Sequence, residues 1–420
     1  MTSDVLIWLI ALASVFCVML RPRCWPEAIW ALLGAGALVG VGLLSVADAA
    51  KAVANGWDVY LFLIGMMVLS EVARQEGLFD LLAAAAARFA KGSAHRLFAL
   101  VYGVGVVVTV FLSNDATAVV LTPAVYAAAR AAGAAPLPYL FACAFVANAA
   151  SFVLPISNPA NLVVFGGRPP ALLDWISLFG PASGASIIVT YVALRLVFAG
   201  DLRGRLAVPK PRPPMSRGCR VAAVGLAGGV AVLLGASALD VPLGLPTLVA
   251  GLATAAAMCV AEGKGPLAML RGVSWSVLPL VAGLFVIVEA LARTGAIEAL
   301  AGLLGAAEQA YGDAATGVGA GTITAFAVNL MNNLPAGLVA AKTLALTQPS
   351  VSPLITGAVM VGVDLGPNLS VTGSLATILW LLALRREGQT VGALRFLRVG
   401  ALVMTPALAA SLAALVLIRF

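Results

Sequence analysis

Charge is scarce in this chain. Asp, Glu, Lys and Arg together make up 10% of its 420 residues, against about 25% in soluble globular domains. With 62% hydrophobic residues, a soluble domain is excluded. Histidine occurs once, as His95, between Lys91 and Arg96 in a polar gap, where it reads as a solvated loop residue. Five cysteines, Cys17, Cys24, Cys143, Cys219 and Cys259, are scattered without a CxxC pair. They offer neither a disulfide framework nor a zinc site. No GxxxxGK(S/T) loop is present, so the chain hydrolyses no nucleotide itself. The stretch GAGALVG at 34–40 has no strand before it and lies inside an apolar run; close helix packing explains it better than a dinucleotide fold. Alternating strands are also missing, which excludes a membrane barrel. Nothing here points to an enzyme, a cofactor or a structural metal. The net charge of +7 reads as basic loops beside a bilayer rather than a nucleic-acid surface.

What the chain does have is long apolar runs. The apolar share, about 260 residues, sets a ceiling of about thirteen helices at about 20 residues each, and ten to twelve once loops are subtracted. The fold class is therefore an all-α polytopic membrane protein. Runs separated by Pro, Gly and charge fall at 4–20, 25–46, 57–73, a hairpin-like pair 97–112 and 115–130, 137–165 and 174–200. A polar linker, Asp201–Cys219, carries prolines and basic residues that forbid a helix in lipid. Runs resume at 220–238, 243–261, 275–292, a second pair 314–331 and 333–347, then 352–384 and 396–418. The first run follows Asp4 and precedes Arg21 and Arg23, the reverse of a signal peptide, so it is expected to be a true span with its N-terminus outside.

The second half repeats the first. Gly65, Glu71 and Gly77 recur 218 positions later as Gly283, Glu289 and Gly295, and Asn114 and Asp115 recur as Asn332 and Asn333. The break Pro155–Asn161 matches Ser370–Ala376 with about three residues deleted. Weakly amphipathic stretches, Leu78–Gly92 and Ala296–Asp313, follow the third run of each half. The expected organisation is an N-terminal repeat (1–200), a basic linker (201–219) and a C-terminal repeat (220–420). Each repeat holds five spans, a re-entrant hairpin and a broken helix. Placing the linker in the cytoplasm puts 20 of the 25 Lys and Arg there, leaving Lys51, Arg168, Arg293, Lys342 and Arg419 on or near the far side. That obeys the positive-inside rule and puts both termini outside. An odd number of single spans per half inverts the repeats, the mark of a secondary transporter with a site at mid-membrane.

Four polar stretches fall where lipid depth is expected. The turn of the first pair holds Ser113, Asn114, Asp115 and Thr117; a break holds Ser157, Asn158 and Asn161. The turn of the second pair holds Asn329, Asn332 and Asn333; the last break holds Asp364, Asn368, Ser370, Thr372, Gly373 and Ser374. The hairpin limbs, about 16 residues or roughly 24 Å long, fall short of a bilayer core of about 30 Å, which argues for tips at mid-depth. Unwound backbone there must meet protein, water or substrate, and the helix N-termini after each break favour anions or oxygen ligands. A carboxylate at that depth costs about 2.5–3.5 kcal/mol, which marks Asp115 and Asp364 as functional. Glu71 and Glu289, at span ends, read equally as helix-end partners of Arg74 and Arg293. Lys342 either serves the second hairpin or snorkels to the outer surface.

The segments Phe111–Val125 (FLSNDATAVVLTPAV), Ser157–Val164 (SNPANLVV), Met331–Ala336 (MNNLPA) and Asp364–Leu381 (DLGPNLSVTGSLATILWL) resemble the signature segments of the arsenite/antimonite efflux permeases. These belong to the ion transporter superfamily. The resemblance covers most of the chain in order, the Asp364 segment being its most specific part. It implies export of arsenite and antimonite from a prokaryotic cytoplasm, across the inner membrane, in exchange for protons. It also implies action alone or with a soluble arsenite-stimulated ATPase, and an elevator-like movement within a homodimer. Some members read Thr after the Asn-Asn-(Leu/Met)-Pro turn; Ala336 and Gly337 stand here instead, one hydroxyl fewer. Arsenite at neutral pH is chiefly an uncharged trihydroxide, which needs donors and acceptors rather than fixed cations, and the four stretches supply Asn, Ser, Thr and amides without an Arg. The scattered cysteines argue against thiolate capture. On this reading the polar residues of the four stretches bind substrate, and Asp115, assisted by Asp364, carries the proton. The alternatives on the same scaffold are a sodium/proton antiporter using Asp115 and Asp364, and a carrier of silicic acid or a dicarboxylate anion.

Overall fold

The structure, a computed structural model, describes residues 3–208, 215–263, 265–348 and 350–417. The middle of the expected linker, 209–214, and Arg419 lie outside them. The helices in chain order are α1 (Ser3–Leu20), α2 (Glu27–Gly40), α3 (Val46–Ala54), α4 (Trp57–Gln75), α5 (Leu78–Phe89), α6 (Ala94–Phe111) and α7 (Thr122–Ala131). Next come α8 (Leu137–Ala149), α9 (Pro159–Val164), α10 (Leu172–Val197), α11 (Arg217–Ala238), α12 (Gly244–Glu262) and α13 (Pro266–Gly272). The chain ends with α14 (Val277–Ala292), α15 (Ala296–Met331), α16 (Asn333–Leu346), α17 (Pro353–Leu365), α18 (Leu375–Arg386) and α19 (Ala393–Leu417). Among the described residues the only strand-like feature is one isolated bridge, Ser93 to Arg205.

Among the described residues seven helices are long and apolar enough to cross a bilayer, or eight if the bent pair α3–α4 counts as one. The remaining apolar segments are short helices, α2 and α14, and the halves of the two interrupted runs. The fold is an all-α polytopic membrane protein, as the composition requires.

The 218-residue repeat is visible in the elements themselves. Shifting α1, α2, α3 and α4 by that offset lands them on α11, α12, α13 and α14. Shifting α5 and α6 lands them on the two limbs of α15. Two helices were expected there; the structure has one, kinked at Gly312, whose φ of 75° only glycine adopts readily.

Packing between the two sets is reciprocal. Helix α4 lies against α12 while α14 lies against α2; α13 touches α4 while α3 touches α14. The contacts are close because glycines stand at the crossings. A Cβ on Gly65 would sit 2.3 Å from the carbonyl oxygen of Thr247, and one on Gly283 would sit 2.8 Å from the carbonyl carbon of Ala31. Small residues let such backbones approach in lipid, where apolar burial alone gives helices little reason to associate.

The start of the linker bonds to two loops of the first half. Leu206 donates its amide to Gly92 (2.8 Å) and Ala207 donates to Ala132 (2.9 Å). Arg293, at the end of α14, pairs with Asp48 of α3 at 2.7 Å, and the Gly244 amide at the start of α12 donates to Asp58 of α4 at 2.9 Å. Arg293 therefore does not serve Glu289.

The interrupted helices are anchored by aromatics. Phe141, Phe145, Trp380 and Phe396 pack together at centroid distances of 5.3–5.9 Å between α8, α18 and α19. The indole N–H of Trp380 donates to the carbonyl of Leu140 at 3.0 Å, and that of Trp175 to Phe152 at 3.2 Å.

Candidate transport site

The first hairpin is α6, a turn and a π-helical stretch, Ala116–Leu121, running into α7. Ser113 initiates the return limb by accepting the Ala116 amide (3.2 Å), and Asn114 accepts the Asp115 amide (2.9 Å). Thr117 turns inward to Thr109 at 2.8 Å. The Asp115 carboxylate has no hydrogen-bond partner among the described residues. It lines, with Ser113, a cavity of about 630 Å³ bounded by α4, the hairpin, the start of α9 and α14, and α18. Glu71, Arg74, Asp80 and Arg386 line the same cavity. The Glu71 carboxylate is held by Arg74 (2.6 and 2.7 Å) and by Gln75 (2.7 Å).

The break after α8 satisfies its own freed carbonyls. Asn161 donates to Ser151 (2.9 Å) and Leu154 (3.1 Å), Ser157 donates to Val110 at the end of α6 (3.0 Å), and Asn158 caps α9 through the Ala160 amide (3.0 Å). Buried backbone groups are nearly always paired in this way. The break begins at Ala150, earlier than the Pro155 expected from sequence, because α8 ends at Ala149.

The second hairpin and the last break are stitched together. Asn329 donates to Gly366 (3.1 Å) and accepts from Ser370 (2.7 Å); Thr372 donates to the Asn329 carbonyl (2.8 Å); the Asn333 amide donates to Gly373 (2.9 Å). Ser157 and Thr372 are thus counterparts, each hydroxyl donating to a carbonyl at the end of its hairpin's first limb. Asn332 adopts φ 79° and accepts the Leu334 amide at the start of α16.

The two breaks meet through side chains. Asp364, fully buried in the last turn of α17, accepts from Ser151 (2.6 Å) and Asn158 (2.8 Å). Asn148 donates to Asn368 at 3.0 Å, which donates in turn to Phe145 at 3.0 Å. Around the two breaks, Asn148 Oδ1, Asn161 Oδ1, Ser374 Oγ and Thr377 Oγ1 are buried and keep no partner among the described residues. The last two stand on the uncapped first turn of α18.

Of the residues expected to bind substrate, Ser113 and Asp115 face the cavity; the others named above mainly hold backbone or each other, and Ser374 keeps a free hydroxyl. Asn114 and Asn332 bond locally, each within its own tip. Sequence reasoning missed Asn148 and Ser151, whose only signal was two polar residues inside an apolar run. Lys342 does not snorkel free: it pairs with Glu289 at 2.5 Å. Among the described residues no group of His, Cys, Asp and Glu could hold a metal ion.

A bundle of interrupted apolar helices around a polar cavity defines a membrane transporter. A family model for citrate transporters matches residues 9–363. The arsenical pump membrane protein of Yersinia enterocolitica is 31% identical over 411 residues, 94% of this chain and 93% of that protein. Its counterpart in Escherichia coli strain K12 is 30% identical over 86% of each chain. The YdaH transporter of Alcanivorax borkumensis shares the fold, with a TM-score of 0.60 at 16% identity over 87% of this chain and 86% of that one. The chain belongs to the citrate-transporter family and, with it, to the family of the arsenical pump membrane proteins.

Proposed function

We propose that this protein exports arsenite and antimonite, as neutral trihydroxides, in exchange for protons. One observation carries this reading: the unpartnered Asp115 carboxylate faces the same 630 Å³ cavity as the Ser113 residue beside it. A titratable group and uncharged donors thus share one space. The cavity is lined by charges of both signs, the acids Glu71 and Asp80 and the bases Arg74 and Arg386, which suits a neutral polyol-like cargo. The free hydroxyls of Ser374 and Thr377, with the uncapped amides of α18, supply further donors to an oxygen-rich solute. The 1–200 and 220–420 repeats, inverted about the mid-plane, supply the two halves of the site. We place the chain in the prokaryotic inner membrane with the 201–219 linker in the cytoplasm and both termini outside, so the cavity opens inward. A homodimer and a soluble arsenite-stimulated ATPase are partners that the family likeness suggests.

A second reading, carriage of a carboxylate anion, is supported by Arg386, which lines the cavity without a carboxylate partner among the described residues. Inverted membrane vesicles with an acidic lumen separate the two. Arsenite and antimonite are expected to accumulate and to dissipate the gradient, while citrate, sodium and silicic acid do not. Accumulation of citrate with no response to arsenite would replace the first reading by the second.

A further inference from the structure

Glu71 and Glu289 occupy equivalent positions in the repeat, yet their charges are met differently. On α4 the base is Arg74, three residues along the same helix. The position equivalent to Arg74 is Ala292, so α14 has no base there. Instead Glu289 reaches across to Lys342 on α16, the second limb of the second hairpin. The residue equivalent to Lys342 is Ala124, which leaves the first hairpin without a base at that position to meet Glu71. The consequence is spatial. Glu71, Ala124 and Val120 line the open cavity between α4 and the first hairpin. On the other side α14 lies against α16, Leu338, the counterpart of Val120, is buried, and the partly exposed Glu289–Lys342 pair bridges the two helices.

We propose that the Glu289–Lys342 ion pair is a releasable latch on the exit path, the mirror of the open cavity. It holds the second hairpin against α14, so the far side stays shut while the near side is open. A transporter built from related halves alternates by opening one half's gap as the other's closes. Placing the base on the hairpin in one repeat and on the span in the other biases the resting protein toward the near-side-open state. That is the state in which an exporter must collect cargo. Both side chains are partly exposed, 32% for Lys342 and 25% for Glu289, so parting them needs no deep burial of charge. The latch rests on the cavity being the cargo's near-side path, but its test needs no cargo.

A cysteine-free full-length chain carrying Leu338→Cys is treated in intact cells with a membrane-impermeant maleimide. Labelling is expected to be low with the pair intact and to rise several-fold with Lys342→Gln or Glu289→Gln. The charge swap Glu289→Lys with Lys342→Glu should return it to the low level. In inverted vesicles, Val120→Cys should label less when the pair is broken. Unchanged labelling at Leu338→Cys in both single variants would overturn the latch, and so would a rise that the swap does not reverse. Failure of arsenite uptake with the labelling pattern intact would instead count against the cargo.

Discussion

Asn158 and Asp364 lie 206 residues apart in sequence, and the side-chain amide of the first donates to the carboxylate of the second at 2.8 Å. With Ser151 at 2.6 Å on the other oxygen, Asp364 joins the two helix breaks with no basic partner among the described residues. A buried carboxylate is tolerated only when such donors replace water. Its place therefore depends on both halves of the chain at once.

Removing a donor should be felt directly. Asn158→Ala is expected to cost about 1–3 kcal/mol, because it strips one acceptor of its partner and also uncaps α9. Asp364→Leu should cost more, since the Asn158 amide then faces apolar carbon. Thermal midpoints of the detergent-solubilised variants check this; midpoints equal to the parent's would show that the bonds carry no stability.

The glycine at the α4–α12 crossing gives a sharper contrast. Gly65→Val places carbon against the Thr247 carbonyl, where the backbone cannot yield, and overpacking a tight contact typically costs about 1–3 kcal/mol or more. Gly36→Ala, by comparison, meets nothing within 4 Å. Size-exclusion profiles of membrane extracts should lose the monodisperse peak for the first variant and retain it for the second.

Much of this architecture is legible because lipid enforces it. Polar residues in a long apolar run must mark a break or a site, so Asp115, Asn158, Asn332 and Ser370 stand out unaided, and the repeat follows from matching them. What stays hidden is partnership. Asn148 and Ser151 look like minor interruptions of a span until folding brings Asn368 and Asp364 to them from 220 and 213 residues away. Arg293, four residues after Glu289, looked like its natural partner; the fold gives it to Asp48 instead. Nor does any local pattern reveal that Arg386 and Ser113 share a cavity wall.

Thiols are expected to be dispensable. Cys17, Cys143, Cys219 and Cys259 are free, and none lines the cavity; the side chain of Cys24 lies outside the described ones. A chain with all five replaced by Ala or Ser should confer arsenite resistance at near-normal expression. Loss of resistance in a variant that still folds would mean that thiolates capture the cargo.

Expelling a neutral trihydroxide against a hundredfold gradient costs about 2.8 kcal/mol, at about 1.4 per decade. One proton moving inward through roughly 100–150 mV supplies about 2.3–3.5 kcal/mol, so a single titrating carboxylate suffices. Asp115 meets the requirements: it faces the cavity, has no bonded partner among the described residues, and its repeat counterpart is already the neutral Asn333. Asp364, by contrast, is fully buried and engaged by two donors. Asp115→Asn changes one oxygen for an amide and leaves the turn's bonds from Ser113 and Asn114 in place. It should therefore keep the fold and the exchange of labelled for unlabelled arsenite across inverted vesicles, while abolishing uptake driven by an acidic lumen. If the variant still accumulates arsenite in response to the gradient, the proton takes another route, and Asp364→Asn becomes the decisive variant.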